Sequence, residues 1–261
     1  MRGRIGFLAL VAVSAALAWQ RVPRRFLEEK EVPIPPDARE VKEFYFSRLR
    51  YQNFPGTGMW AARGNWAVDS PKADRQFMMG VRRLTRIDNR IMERVVDLVS
   101  DDVFLEPWLY AVESGHWDLP ESQARKLREY LDRGGFLMTD DFHGTYEWSV
   151  MMASMRRVFP DREPVDLPND DPIFHVLYDL SERVQVPGVV MFYTGHTYEY
   201  DGFEPKWRAI RDNQGRIVVA ICHNQDNGDA WEWADAPEYP ERYASQAYRL
   251  GINYIIYSMT H

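Results

Sequence analysis

The stretch DLPESQARKLREYLDRGGFLMTDD, residues 118–141, leaves the chain little freedom in what it can fold into. Pro120 near its start, Leu127, Tyr130 and Leu131 at helical spacing, and the pair Gly134-Gly135 at its end predict one amphipathic helix. The apolar run from Phe136 to Met138 follows at once and predicts a buried strand. A strand entered directly from a helix is half of a parallel-sheet crossover.

The rest of the chain repeats that alternation. EFYFSRLRYQ (Glu43 to Gln52) alternates aromatic and polar residues and reads as the first strand. A loop rich in Gly and Trp follows, and then a helix through KADRQFMMGVRRLTR with Asp69 or Ser70 as its cap and Pro71 in its first turn. VVDLVS, PWLYAVES and RIVVAICHN suit buried strands, while YEWSVMMASMRRVF and the closing YASQAYRLGINYIIYSMTH suit helices. The pattern is that of an α/β domain with a mainly parallel sheet. In such sheets ligands sit beyond the carboxyl ends of the strands.

The first forty residues are of another kind. Arg2 and Arg4 precede an apolar run from Ile5 to Ala18 that ends in Ala16-Leu17-Ala18, the layout of a secretory signal. The run is shorter than the roughly 20 residues of a comfortable membrane span, and Arg21, Arg24 and Arg25, which follow it, suit an uncleaved anchor. Residues 1–20 are therefore expected to be a signal peptide or N-terminal membrane anchor. Residues 21–40 are a Pro/Arg-rich tether, and residues 41–261 are the α/β domain. This organisation implies a periplasmic or extracytoplasmic place, inner-membrane anchored if the segment is kept, with the membrane a partner through that segment. The net charge of −7 speaks against nucleic acid. The single Cys222 excludes an intrachain disulfide.

The acids after the central strand raise the question of function. Asp140, Asp141, His143 and Glu147 end that strand and open the next helix. Carboxylates and an imidazole so placed suit a divalent metal, with Asp140, Asp141 and His143 as its ligands, or an acid–base pair. The alternative is structural: Asp141 caps the helix and Asp140 binds neighbouring loop amides. Two adjacent carboxylates repel unless something positive is near, which favours a ligand. His116, after WLYAV, and His223 fall at other strand ends, whereas His196 lies between aromatics. Asp170, Asp171 and His175 read as a turn with a weaker claim to a site. Asn224, Asp226 and Asp229 only superficially resemble a calcium loop, because Asp229 stands where that loop needs glycine. Trp231 and Trp233 are either core or an aromatic wall of the same cleft. The phosphate-binding loops G-x-x-x-x-G-K-[ST] and G-x-G-x-x-G, and the serine-hydrolase elbow G-x-S-x-G, do not occur.

Several segments carry a resemblance: FYFSRLRY, LYAVESGHWDL with ARKLREYLDRGGFLMTDDFHG, LPNDDPIFH, and NQDNGDAWEWADAPEYPERYASQAYRLGINYIIYSMTH. Over roughly Lys42 to His261 the chain resembles the DUF4159 family. That resemblance implies a flavodoxin-like three-layer sandwich of the class I glutamine amidotransferase-like kind, and exported or membrane-anchored bacterial relatives, some joined to BatA-like membrane proteins. In true amidotransferases the equivalent helix–strand unit presents a cysteine at a sharp turn. Here Asp140-Asp141 stands there and Cys222 is on another strand, so glutaminase chemistry is not expected. Two functions remain open. One is an envelope ligand-binding or protein-interaction module lined by Asp140, Asp141, His143, Glu147, His116, Trp231 and Trp233. The other is a metal-dependent hydrolase acting on an envelope substrate.

Overall fold

The computed structural model describes residues 32–58, 61 and 63–261, so the expected signal or anchor in residues 1–20 lies outside the described residues. WLYAV forms β4 (Trp108–Val112), with every residue buried. Trp108, Tyr110 and Val112 enter one core cluster, while Leu109 and Ala111 enter a second. A strand covered on both faces must be apolar at every position, and for this reason the sequence shows a run rather than an alternation. β6 (Phe136–Asp140) and β9 (Ile217–His223) are buried throughout in the same way.

These strands sit inside a seven-stranded sheet of order β3-β1-β4-β6-β9-β8-β7. Its remaining members are β1 (Ser47–Arg50), β3 (Arg94–Asp97), β7 (Val165–Asp166) and β8 (Lys206–Arg211). The pairs joining β3, β1, β4, β6 and β9 are parallel, and β8 and β7 complete the edge antiparallel. β2 (Gln52–Asn53) and β5 (Trp117–Asp118) form a separate antiparallel pair. The helices are α1 (Lys72–Leu84), α2 (Glu121–Asp132), α3 (Gly144–Val158), α4 (Val189–Thr194), α5 (Asn227–Glu232) and α6 (Glu241–Thr260). Residues of α1, α5 and α6 share one core cluster with the sheet; those of α2 and α3 share the other. The result is the expected three-layer α/β sandwich, consistent with a flavodoxin-like fold.

The turn from α2 into β6 shows why two glycines are needed. Gly134 has φ 109°, a backbone that side chains rarely adopt, and a Cβ on Gly135 would lie 2.3 Å from the Tyr130 ring. The Tyr130 hydroxyl donates to the carbonyl of Phe136 and accepts from its amide, both at 3.1 Å, tying the helix end to the strand start.

The last part of the expected tether is docked on the domain. Arg75 Nη1 donates to the carbonyls of Val32 and Pro33 at 2.9 and 2.8 Å, and Arg90 Nη1 to that of Ala38 at 3.1 Å. Asp37 is buried and bonded to Arg82. Among the described residues no helix is long and apolar enough to cross a membrane.

Candidate functional site

β4, β6 and β9 are neighbours, and each is followed by a non-glycine residue in left-handed conformation: Glu113 (φ 51°), Asp141 (φ 52°) and Asn224 (φ 62°). Asp69 (φ 60°) and Tyr200 (φ 48°) are the other described non-glycine residues with positive φ. Such a backbone costs about 1–2 kcal/mol for a residue with a Cβ, less for Asp and Asn. Strain gathered at one sheet end marks a site where side chains must be aimed. The turns are pinned by the protein's own bonds. The Tyr51 hydroxyl donates to the carbonyls of Val112 and Glu113 at 2.8 Å, Asp141 N donates to Gln225 O, and Asn224 N to Phe142 O.

Asp140 and its neighbour Asp141 have different tasks. Asp140 is fully buried and accepts from the amides of Asn227 and Gly228 at 3.0 and 3.1 Å, from Asn227 Nδ2 at 2.7 Å and from the Tyr110 hydroxyl at 2.9 Å. It anchors the start of α5 to the end of β6. Asp141 does not cap α3. The amides there are satisfied by Glu147 (from His143 N), Asn224 (from Gly144 N) and Asp201 (from Thr145 N). Asp141 Oδ1 instead lies 3.1 Å from His143 Nε2.

Asp141 belongs to one of three groups of donors close enough to hold a cation. Asp69, Asp141 and Asp226 place one carboxylate oxygen each within 4.8 Å of one another. Asp69, Asp229 and Glu232 do the same, so that Asp69 is common to both sets. The third group is Glu113, His116 and Glu147, in which His116 Nε2 is 3.2 Å from both carboxylates. Close backbone approach makes the crowding feasible. A Cβ at Gly228 would meet Asp69 Oδ2 at 2.4 Å, one at Gly188 would meet Asp226 Oδ2 at 2.8 Å, and one at Gly115 would meet the Glu147 Cβ at 2.4 Å. Asp69 Oδ2 is buried without a hydrogen-bond partner. Asp226, the cap of α5, holds the Asp229 amide at 2.7 Å, and Asp229 holds the Val189 amide at 2.6 Å, which fixes both carboxylates at the start of that helix.

So many acids in a buried space resist ionisation. Burial first, and then the fields of neighbouring carboxylates, push Asp69, Glu113 and Asp226 well above the usual range. Burial likewise brings Asp140 to about 7, Asp229 to about 6, Glu199 to about 6 and Glu232 to about 8. Burial works to lower His143, but the bond to Asp141 and the fields of Glu199 and Glu147 prevail and raise it to about 9. The fixed cations whose fields reach the acids are already engaged. Arg48 pairs with Asp74, and Lys72 lies over the Trp233 ring and 3.5 Å from Asp235.

The other sequence candidates divide. His116, His143, Glu147 and Asp141 all lie at this sheet end. Trp231 is fully buried and stacked on Phe77 with centroids 4.3 Å apart, so it is core. Trp233 stands beside the acids, its Nε1 donating to Asp229 Oδ1 at 3.2 Å. His223 is stacked on Phe142, bonded to Gly144 O, and lowered to about 4 by burial, a neutral packing residue. His196 is exposed. Asp171 and His175 close a local turn, Asp171 accepting from Ile173 N and His175 Nε2 lying 2.9 Å from Asn169 O. Cys222 is fully buried, and burial pushes its thiol up.

Sequence reading missed Asp69, Glu113, Glu199 and Glu232 as site residues, and it set Asp226 and Asp229 aside as an imperfect calcium loop although both belong to donor groups here. Asp69 looked like a cap for α1, but no side chain caps that helix. The available signal was positional: Glu113 directly follows the buried run WLYAV, as Asp140-Asp141 follows FLMT.

Compared with known proteins, residues 45–259 match the family model described as "Domain of unknown function (DUF4159)". No curated protein matches the chain.

Proposed function

We propose, for a chain that belongs to the DUF4159 family, that the domain is a divalent-cation-dependent hydrolase acting on a cell-envelope substrate. One observation carries this reading: Asp69, Asp141 and Asp226 converge from three separate segments, with Asp69 and Asp141 held in left-handed backbone. Carboxylates of this kind suit hard cations such as Mg²⁺, Mn²⁺ or Ca²⁺. A cation held by these three carboxylates would offset their mutual repulsion and would supply activated water. His143 Nε2, 3.1 Å from Asp141 Oδ1, is held in orientation by that carboxylate and is the group placed to donate a proton to a leaving atom.

An export signal in residues 1–20, expected from the sequence, would fit an envelope location. A ligand-binding module without catalysis is the second reading. It is favoured by Asp140, whose carboxylate is spent on hydrogen bonds from Tyr110, Asn227 and Gly228 that hold the start of α5. Elemental analysis of protein purified without added metal tests the first reading. Near-stoichiometric divalent metal that disappears in Asp141→Asn, with an unchanged circular dichroism spectrum, is expected. Metal-free wild-type protein that also ignores added Mg²⁺, Mn²⁺ and Ca²⁺ overturns it.

A further inference from the structure

Glu113 leaves the end of β4 in left-handed backbone, and His116 follows in the short turn that Glu113 opens. Both meet Glu147, in the first turn of α3. His116 Nε2 lies 3.2 Å from Glu113 Oε2 and 3.2 Å from Glu147 Oε1. The side chains of Glu113, His116 and Glu147 are only 12%, 7% and 6% exposed, so water does little to screen them. The surrounding backbone fixes each of them. The His116 amide donates to the Glu113 carbonyl at 2.9 Å, and its carbonyl accepts from Phe54 N at 2.6 Å. Glu147 Oε2 accepts from the His143 amide at 2.5 Å, which leaves Oε1 facing the imidazole. A Cβ on Gly115 would lie 2.4 Å from the Glu147 Cβ, so the glycine admits that carboxylate to the turn.

A buried imidazole between two carboxylates is either a protonated ring held by two ion pairs or one ligand of a metal. The ion-pair arrangement offers one ring nitrogen to each carboxylate, because each nitrogen carries a single hydrogen. Here both carboxylates crowd Nε2, and one N–H cannot point at both. Three donor atoms converging on one spot is what a cation requires, and the spacing fits. Zinc bonds of about 2.1 Å put neighbouring ligand atoms about 3.0 Å apart at octahedral angles and about 3.4 Å apart at tetrahedral ones. The two separations of 3.2 Å fall between these, and all three donor atoms lie within 4.8 Å of one another. The nitrogen sets this group apart from the all-carboxylate groups around Asp69. Imidazole with carboxylate suits Zn²⁺, whereas oxygen donors alone suit Mg²⁺, Mn²⁺ and Ca²⁺.

We propose that Glu113, His116 and Glu147 bind a zinc ion, in a centre separate from that of Asp69, Asp141 and Asp226. Three protein ligands leave the fourth position of a tetrahedral zinc to water or an incoming ligand. The proposal does not depend on the hydrolase reading. Its test uses the untagged full chain, stripped with chelator and titrated with Zn²⁺ in excess Mg²⁺, which occupies the all-carboxylate groups. Elemental analysis and zinc-edge X-ray absorption follow. One zinc per chain, with the outer-shell scattering of a coordinated imidazole, is expected. Loss of an outer partner of a metal ligand already costs about 10–100-fold in affinity, so His116→Gln and Glu113→Gln are each expected to weaken zinc binding at least tenfold. Asp69→Asn is expected to keep it within about threefold. Melting temperatures of the metal-free variants guard against misfolding, and the absorption spectrum of the wild type decides the matter without any variant. A wild-type chain that takes up no zinc, or a zinc shell without imidazole, overturns the proposal. So does zinc binding that survives in both glutamine variants, or that is lost in Asp69→Asn. Zinc uptake by a chain that ignores Mn²⁺ leaves the proposal standing and removes only the hydrolase reading.

Discussion

Asp74→Asn probes the buried charge on which the site stands. Arg48 and Asp74 are both without solvent exposure. Arg48 Nε reaches the two Asp74 oxygens at 3.2 and 3.0 Å, Nη2 bonds Oδ1 again, and Nη1 donates to the carbonyls of Trp66 and Val68 at 3.1 and 2.9 Å. The guanidinium lies 5.2 Å from the centre of the Tyr110 ring, whose hydroxyl holds Asp140 and through it the start of α5. Asparagine keeps the shape of Asp74 and removes its charge, leaving a guanidinium unpaired in the interior. Breaking a buried pair from one side costs about 3–5 kcal/mol. In a domain of this size 1 kcal/mol moves the melting temperature by about 2–4 °C, so a fall of about 10 °C is expected. The double replacement Arg48→Met with Asp74→Leu removes both charges and is expected to cost less than Asp74→Asn alone. Thermal melts and urea midpoints on the three proteins check this. An Asp74→Asn protein within 1 kcal/mol of wild type, or a double variant worse than the single, refutes the reasoning.

Gly228→Ala puts a methyl group 2.4 Å from Asp69 Oδ2 and 3.1 Å from the Tyr110 hydroxyl, and is expected to cost about 1–3 kcal/mol and to lower metal affinity; urea unfolding and metal titration check both. Trp231→Ala empties a fully buried site stacked on Phe77 and is expected to cost about 3–5 kcal/mol by urea unfolding, where a loss under 1 kcal/mol contradicts its place in the core. The pH dependence of the metal-free domain runs against the usual sense. Asp140 at about 7, Asp229 and Glu199 at about 6 and Glu232 at about 8 hold protons in the folded state that the unfolded chain has released above about pH 4.5. Stability is therefore greatest near pH 5 and declines towards pH 8, by about 1.4 kcal/mol per pH unit for each excess proton. Urea midpoints at pH 5 and pH 8 in chelator decide it, and a rise with pH contradicts the electrostatics described.

The parts of the fold legible in the sequence are those whose physics is local. β4 and β6 show as apolar runs because both their faces are covered, and α2 shows because its periodicity ends at two glycines that the Tyr130 turn requires. β8 escaped notice because Lys206, Arg208 and Arg211 interrupt its apolar residues, and only its pairing with β9 explains why that segment is extended. β1 is shorter than the run Glu43–Gln52 suggests, and it carries Arg48 at a core position that only Asp74, on α1, makes tolerable.

The candidate site was half legible. Asp141, His143, Glu147 and His116 are announced by strand ends. Asp69 and Glu199 come from loops whose approach depends on sheet order, and no local pattern marks them. Adjacency also misled, because Asp140 and Asp141 differ completely in role. The alternating directions of neighbouring residues along a strand and turn send Asp140 into α5 and Asp141 towards Asp69 and Asp226.

The sharing of Asp69 between two donor sets allows the most direct test of the central claim. Electron paramagnetic resonance follows the free Mn²⁺ signal as chelator-treated full-length protein is titrated into the ion, for the wild type and for Asp69→Asn. Asparagine accepts left-handed backbone readily, so the φ of 60° at this position is no obstacle to folding of the variant. Saturable loss of the free-ion signal with wild type, and its abolition in Asp69→Asn, is the predicted result; equal uptake by both proteins, or uptake by neither, contradicts a cation centre built on Asp69.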